Sequence, residues 1–178
     1  MKTQNLERYL NSFGKYIVKQ SRTNLTKAKK NTGKGLYNSI RFQVSKSANG
    51  IDVTFYMLGY GTFVDKGVSG NEVKRTYRNW LGQDTASPFQ YKSKQPPSSI
   101  LEKWIKKRGI KGRGKDGRFI KNKSLAFLIG RSIKLKGIKS TSFFQRPMEL
   151  AMKRFGKDIL IALKEDIMGE FKASIEKK

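Results

Sequence analysis

Asp65 and Glu72, the latter followed by Val73 and Lys74, stand in the order acid, acid, lysine. Metal-dependent nucleases use that order: carboxylates hold a divalent ion and the lysine orients water for attack on a phosphodiester. The intervening KGVSGN is too short and glycine-rich for the hairpin that normally spaces such acids, and 13 acids among many lysines generate E-x-K by chance. Pairing of both acids with nearby surface lysines is the ordinary alternative. Gly59 and Gly61 begin a G-x-G, but the third glycine of a dinucleotide loop would fall at Val64, and no GK[ST] follows. These glycines are better explained by backbone that turns a corner or packs tightly. Ser98, Ser99 and Ser124 have no histidine to activate them, and helix capping accounts for all three.

The strongest chemical signal is electrostatic. Between 103 and 123, ten cations (Lys103, Lys106, Lys107, Arg108, Lys111, Arg113, Lys115, Arg118, Lys121 and Lys123) stand against one acid, Asp116. Such a tract neutralises phosphates by a salt-dependent attraction indifferent to sequence; a solvated face is the alternative in a chain this basic. No helix-turn-helix or zinc spacing is present to read bases. Over all 178 residues, 39 Lys and Arg against 13 Asp and Glu leave a charge of +26. Copies of the chain therefore repel one another unless a polyanion or an acidic partner neutralises them. With no cysteine and no histidine, disulfides, thiolate and imidazole metal sites and the commonest general base are excluded. No catalytic group, metal or cofactor is assigned, and the chain is expected not to be an enzyme.

The elements that must position these residues follow from hydrophobic spacing. Leu6, Leu10, Phe13 and Ile17 advance as one helix face, and a break is expected near Thr32 to Gly35. Ile40, Phe42 and Val44, then Ile51, Val53 and Phe55, alternate with polar residues on either side of SANG, the pattern of a β-hairpin with one buried face. Residues 70–96 lack periodicity and read as an irregular insertion pinned by Tyr77, Trp80, Phe89 and Tyr91. A short helix is expected from Ser98 or Ser99 to Gly109, with Ile100, Leu101, Trp104 and Ile105 as its apolar stripe. A flexible basic loop follows to 123, and then a helix from Ser124 to about Leu135 presenting Leu125, Leu128, Ile129 and Ile133. Met148, Met152, Phe155, Ile159, Leu163, Ile167, Phe171 and Ile175 predict a long last helix with Pro147 in its first turn. That stripe steps mostly by fours and winds round the helix, suiting contact first with the sheet and later with another element or subunit. The expected fold is α+β: a small antiparallel β-sheet packed by the N-terminal and long C-terminal helices, one domain over 1–178 with a basic helical and loop insertion at 71–140. No apolar run suits a signal peptide or a bilayer span, so an intracellular, soluble chain without membrane contact is expected.

Three separated stretches resemble the small neck or tail-completion proteins of long-tailed bacteriophages, often described as minor tail components. NTGKGLYNSI at 31–40 is similar to that family's D-T-G-x-L-x-x-S-I approach to the first strand, with Asn31 for Asp and one extra residue before Leu36. YGTFVDKGVSG at 60–70 is similar to its Y-x-x-F-V-E-x-G-T turn, with Asp65 for Glu and Val68 for Thr. TSFFQRPMELA at 141–151 is similar to its P-F-L-R-P-A-L start of the last helix, with Ser142 where proline is usual. The order of elements also fits.

The resemblance implies a structural virion protein of the head-tail connector. Identical subunits would form a ring between capsid portal and tail, around the channel through which genomic DNA passes. Adjoining partners would be connector or portal-adaptor proteins and tail-terminator or tail-tube proteins, with assembly in the host cytoplasm and final location in the virion neck. Gly59, Tyr60, Gly61, Phe63, Val64, Asp65 and Gly67 would then form a structural turn and subunit joint, and the basic tract would face DNA or an acidic neighbouring ring. The rivals are the metal-dependent nuclease and a basic nucleic-acid-binding protein.

Overall fold

The computed structural model describes residues 4–30, 33–47 and 50–175, so the expected turn residues Asn31, Thr32, Ala48 and Asn49 lie outside the described part. The chain is an α+β protein. Its elements in order are α1 (Gln4–Lys27), α2 (Gly35–Ser39), β1 (Arg41–Ser47), β2 (Gly50–Tyr56), α3 (Gly61–Lys66), β3 (Thr76–Arg78), β4 (Asp84–Ala86), α4 (Ser98–Arg108), α5 (Asn122–Lys136) and α6 (Gln145–Ile175). They divide into two compact units, one of residues up to Gly61 with Arg78–Gln83 and everything from Thr141, the other of Thr62–Tyr77 and Asp84–Ser140.

In the first unit the helix spacing and the strand alternation converge on one core. Phe13 and Ile17 of α1 are buried with Ala151 of α6, and Tyr16, Phe55, Phe144, Met148, Phe155 and Ile159 close round them. Phe155 meets the edges of Phe13 and Tyr16 at centroid distances of 6.2 and 5.6 Å, and Phe55 meets Phe144 at 5.4 Å. These are favourable quadrupolar geometries. β1 and β2 pair antiparallel from Arg41–Tyr56 to Ser47–Gly50, with Phe42, Val44, Ile51, Val53 and Phe55 half-buried on one face as the alternation predicts. Gly14 is the residue of α1 that admits this hairpin: a Cβ there would fall on the Phe42 ring.

Two expectations change here. Gly35–Ser39, anticipated as part of the approach to a strand, forms the helical turn α2. The Ser39 hydroxyl donates back to the Leu36 carbonyl at 2.8 Å and accepts from the Leu58 N–H at 3.1 Å. Arg22 donates to the Tyr37 and Ile40 carbonyls at 3.1 and 2.9 Å, satisfying acceptors that the end of a five-residue helix leaves free. The last helix has 31 residues, and its buried side differs from the anticipated stripe. Its buried face is Met148, Ala151, Phe155, Ile159, Ala162 and Asp166, whereas Met152, Ile167, Phe171 and Ile175 of the anticipated stripe are exposed.

Asp166 is buried because it caps α1 from a distance: its carboxylate accepts the Leu6 N–H at 2.9 Å and the Asn5 N–H at 3.4 Å. Both donors belong to the first turn of α1, where no intrahelical acceptor exists. Asp166→Ala is expected to cost about 1 kcal/mol, the usual value of an N-terminal cap. Urea unfolding checks this, with Asp166→Asn keeping part of the stability because its amide oxygen still accepts.

The hairpin tip Arg78–Gln83 is held against the start of α6 within the same unit. Arg78 grips Glu149 through Nε at 3.0 Å and Nη2 at 3.3 Å, Lys153 adds a contact at 2.9 Å, and the Trp80 N–H donates to the Gln145 side chain at 3.0 Å. Gly82, at φ +81°, leaves space for the Glu149 carboxylate. The Arg78 hydrogen bond, then that of Lys153, holds the Glu149 carboxyl down at about 2, against an ordinary 4.5. A depressed carboxyl stabilises the fold fully above its unfolded pKa and loses that contribution as pH falls through the folded one. The urea midpoint is therefore expected to drop between about pH 4.5 and 2, and Glu149→Gln to flatten the curve across that window. Trp80, anticipated as a pin, is instead exposed at this tip: its backbone is anchored while its ring is not.

The second unit is built round an extended segment, Val68–Gly70. Val68 exchanges backbone hydrogen bonds with Ile138 at 2.9 and 2.8 Å, and Ser69 bonds Phe89 and Tyr91, each at 2.8 Å. α4 and α5 pack at Gly130, where a Cβ would meet Leu101 and the Pro96 carbonyl at 3.3 Å. Leu101 and Ile105 face inward as expected, but Ile100 and Trp104 are exposed, as are Phe127 and Leu128 of α5. The buried positions of α5 are the small Ala126 and Gly130, because the close helix approach leaves no room for the larger neighbours that hydrophobicity singles out. Pro97 and Lys121 occupy the N-cap positions without side-chain caps, so the serines at 98, 99 and 124 do not cap. Gly109 ends α4 as expected, at φ +62°, donating to Ile105 and Lys106 carbonyls. Among the described residues no helix is long and apolar enough to cross a membrane.

Candidate nucleic-acid and partner interface

The basic tract lies wholly in the second unit, on the second half of α4, the connection to α5 and the first turn of α5. All ten cations are exposed. Lys106, Lys107 and Arg108 fill the last turn of α4, where the helix dipole favours positive charge. The connection, anticipated as a flexible loop, is a hydrogen-bonded hairpin turn. Arg113 and Phe119 form a bridge, Gly114 N–H donates to Arg118 at 2.8 Å and Ile120 N–H to Gly112 at 2.9 Å. Gly117 takes φ +75°, and Asp116 accepts the Arg118 N–H at 3.2 Å. The single acid of the tract thus shapes its turn.

Phe119, 62% exposed, is flanked by Arg113 and Lys111 at 4.8 and 5.7 Å from its ring centroid. Cations held over an exposed ring are oriented without being neutralised. Lys106 pairs with Glu102 at 3.2 Å and Arg118 approaches Asp116 at 3.9 Å. Both contacts are exposed and weak, so the turn presents its cations to solvent.

The residues of the anticipated turn and joint separate by role. Gly59 and Tyr60 are exposed, and a Cβ at Gly59 would meet nothing. That position does not require glycine, contrary to expectation, because the chain there is on the surface. Gly61 is tightly packed: a Cβ would press on the ends of the Leu36 and Met57 side chains, each at 2.8 Å, which would have to shift. The stretch 61–66 is the helix α3 and not a turn. Phe63 is exposed, its ring tilted against Phe89 at a centroid distance of 4.4 Å. With Val68, Pro88, Tyr91 and Ile138 these rings line an apolar groove of about 690 Å³. Val64 is half-buried. Gly67, at φ +71°, lies against the Ile138 carbonyl and Ser140 N–H, both 2.7 Å from where a Cβ would sit.

Asp65 is buried and Glu72 is exposed. Among the described residues no three His, Cys, Asp or Glu side chains gather to hold a metal ion. The acid, acid, lysine order is therefore not drawn into a surface carboxylate cluster.

Sequence reasoning missed the close backbone crossing of Gly70 and Gly137, where a Cβ on either residue would lie 2.5–2.6 Å from the other's N–H, the Glu149 network and the Asp166 cap. Glycines at both ends of the crossing were the one available signal; the acids carried none. Comparison with family models, with characterised proteins and with solved structures finds no match to this chain.

Proposed function

We propose that this chain is a structural assembly protein of the head-tail connector type, forming a ring of identical subunits round a DNA channel and acting without turnover. The observation that carries this reading is the division of α6: its first half enters the core, while its second half leaves Leu160, Ile161, Ile167, Met168, Phe171 and Ile175 exposed. A run of apolar residues that size along one helix marks a protein contact. The exposed basic tract supports the second part of the reading, a surface suited to passing nucleic acid. The three stretches that resemble the neck and tail-completion proteins also have structural work here. Leu36 and Ile40 are buried, Gly67 and Val68 carry the extended segment, and Phe143 and Pro147 are fully buried at the start of α6. Ser142 takes φ +45°, which a proline ring forbids, so the family's usual proline would not fit this backbone.

Electron microscopy and solution mass of the purified chain test the reading, with closed rings as the expected result. A stable monomer that nicks plasmid DNA with Mg²⁺ or Mn²⁺, and loses that activity in Asp65→Ala, would establish the nuclease instead.

A further inference from the structure

We propose that the second half of α6 of one copy docks head to tail on the α4–α5 face of another copy; the inference rests on the self-assembly reading above and names its joint. The two uncovered surfaces have complementary chemistry. On α6 the exposed residues from Leu160 to Ile175 recur at spacings of three, four and seven on the side opposite the buried Asp166, a stripe about 24 Å long. A hollow of about 310 Å³ beside Phe171 and Ser174 interrupts it. Charge there runs against the rest of the molecule. From Asp158 to Ile175 three acids reach the surface, Asp158, Glu165 and Glu170, against two lysines, Lys164 and Lys172, in a chain of net +26. Asp158 and Glu165 are exposed along one edge of the stripe together with Lys172, Glu170 lies on the other edge, and Lys164 lies within the stripe.

The facing surface has the opposite rim. Phe127 and Leu128 turn outward from α5, 51% and 50% exposed. With Ser98, Lys123 and Ser124 they line a groove of about 440 Å³. Lys121 and Lys123, both exposed, supply cations next to it. An apolar ridge edged mostly by acids meets an apolar hollow edged by cations, whereas two α4–α5 faces brought together would set like charges against each other. Because the two surfaces differ, each copy retains one of each after pairing. Such a heterologous contact closes into a ring when the rotation permits.

The chain has no cysteine, so single thiols report the contact directly. Ser174→Cys and Ser124→Cys each replace an exposed serine of a hollow with a near-isostere. Mixed, and treated with a short bismaleimide, the full-length variants are expected to give a mixed dimer at least about tenfold above either variant alone. Glu165→Lys in the α6 donor should lower that yield, and Lys123→Glu in the acceptor should restore it. Oligomers in which the mixed pair stays silent, or in which Ser174→Cys links only to itself, overturn this joint and leave self-assembly standing. A monomer at every concentration overturns both.

Discussion

Gly70→Ala and Gly137→Ala are each expected to destabilise the second unit by about 3 kcal/mol, the upper range for forcing atoms into a packed interior. At Gly70 a Cβ would overlap the Leu135 carbonyl and lie 2.5 Å from the Gly137 N–H; at Gly137 it would overlap the Val68 carbonyl. These are backbone atoms and cannot swing aside as a side chain does. Gly137 also takes φ +71°, a conformation costly to any residue with a Cβ. Gly156→Ala is the contrast: it lies inside α6, with nothing near its would-be Cβ, and should stabilise by about 0.5–1 kcal/mol. The chain has two tryptophans, Trp104 in the second unit and Trp80 in the first. In a Trp80→Phe background, urea unfolding followed by Trp104 fluorescence reads the second unit. Alanine at 70 leaving that midpoint unchanged would remove the crossing as the centre of this unit.

The second large effect concerns the basic turn. Replacing Lys111, Arg113, Lys115 and Arg118 by glutamine is expected to make the slope of log affinity against log salt shallower by about 3.6 on duplex DNA, at about 0.9 for each phosphate no longer neutralised. Affinity should fall alike for unrelated sequences, because phosphate contacts carry no base information. The control removes equal charge elsewhere, at the exposed Lys15, Lys19, Lys27 and Lys157. A smaller change in slope is expected there. Equal losses in both variants would mean that overall charge binds DNA and that the turn is no site. Fluorescence anisotropy over a salt series measures both.

Periodicity made much of the first unit legible. Phe13 and Ile17 at helix spacing, and Phe42, Val53 and Phe55 in alternation, become core because a face repeated every 3.6 or every two residues has to be covered. The same reasoning misplaced Leu128, Trp104 and Phe171, since hydrophobicity identifies a residue that would gain from burial without saying whether anything arrives to bury it. It placed a flexible loop at 109–123, where Gly117 and Asp116 instead set up a tight hydrogen-bonded turn. It passed over Ala126 and Gly130, whose small size is what two close helices need.

By itself the sequence determined the four longer helices α1, α4, α5 and α6 and the hairpin, the exclusion of cysteine and histidine chemistry, and an excess of positive charge. These are properties of single residues or of neighbours a few positions apart. Tertiary structure alone decided that Asp166 caps a helix beginning some 160 residues earlier, that Glu149 answers Arg78, and that Gly70 and Gly137 pass backbone to backbone. Such pairs depend on which distant segments share a core, and no local pattern of charge or hydrophobicity carries that address.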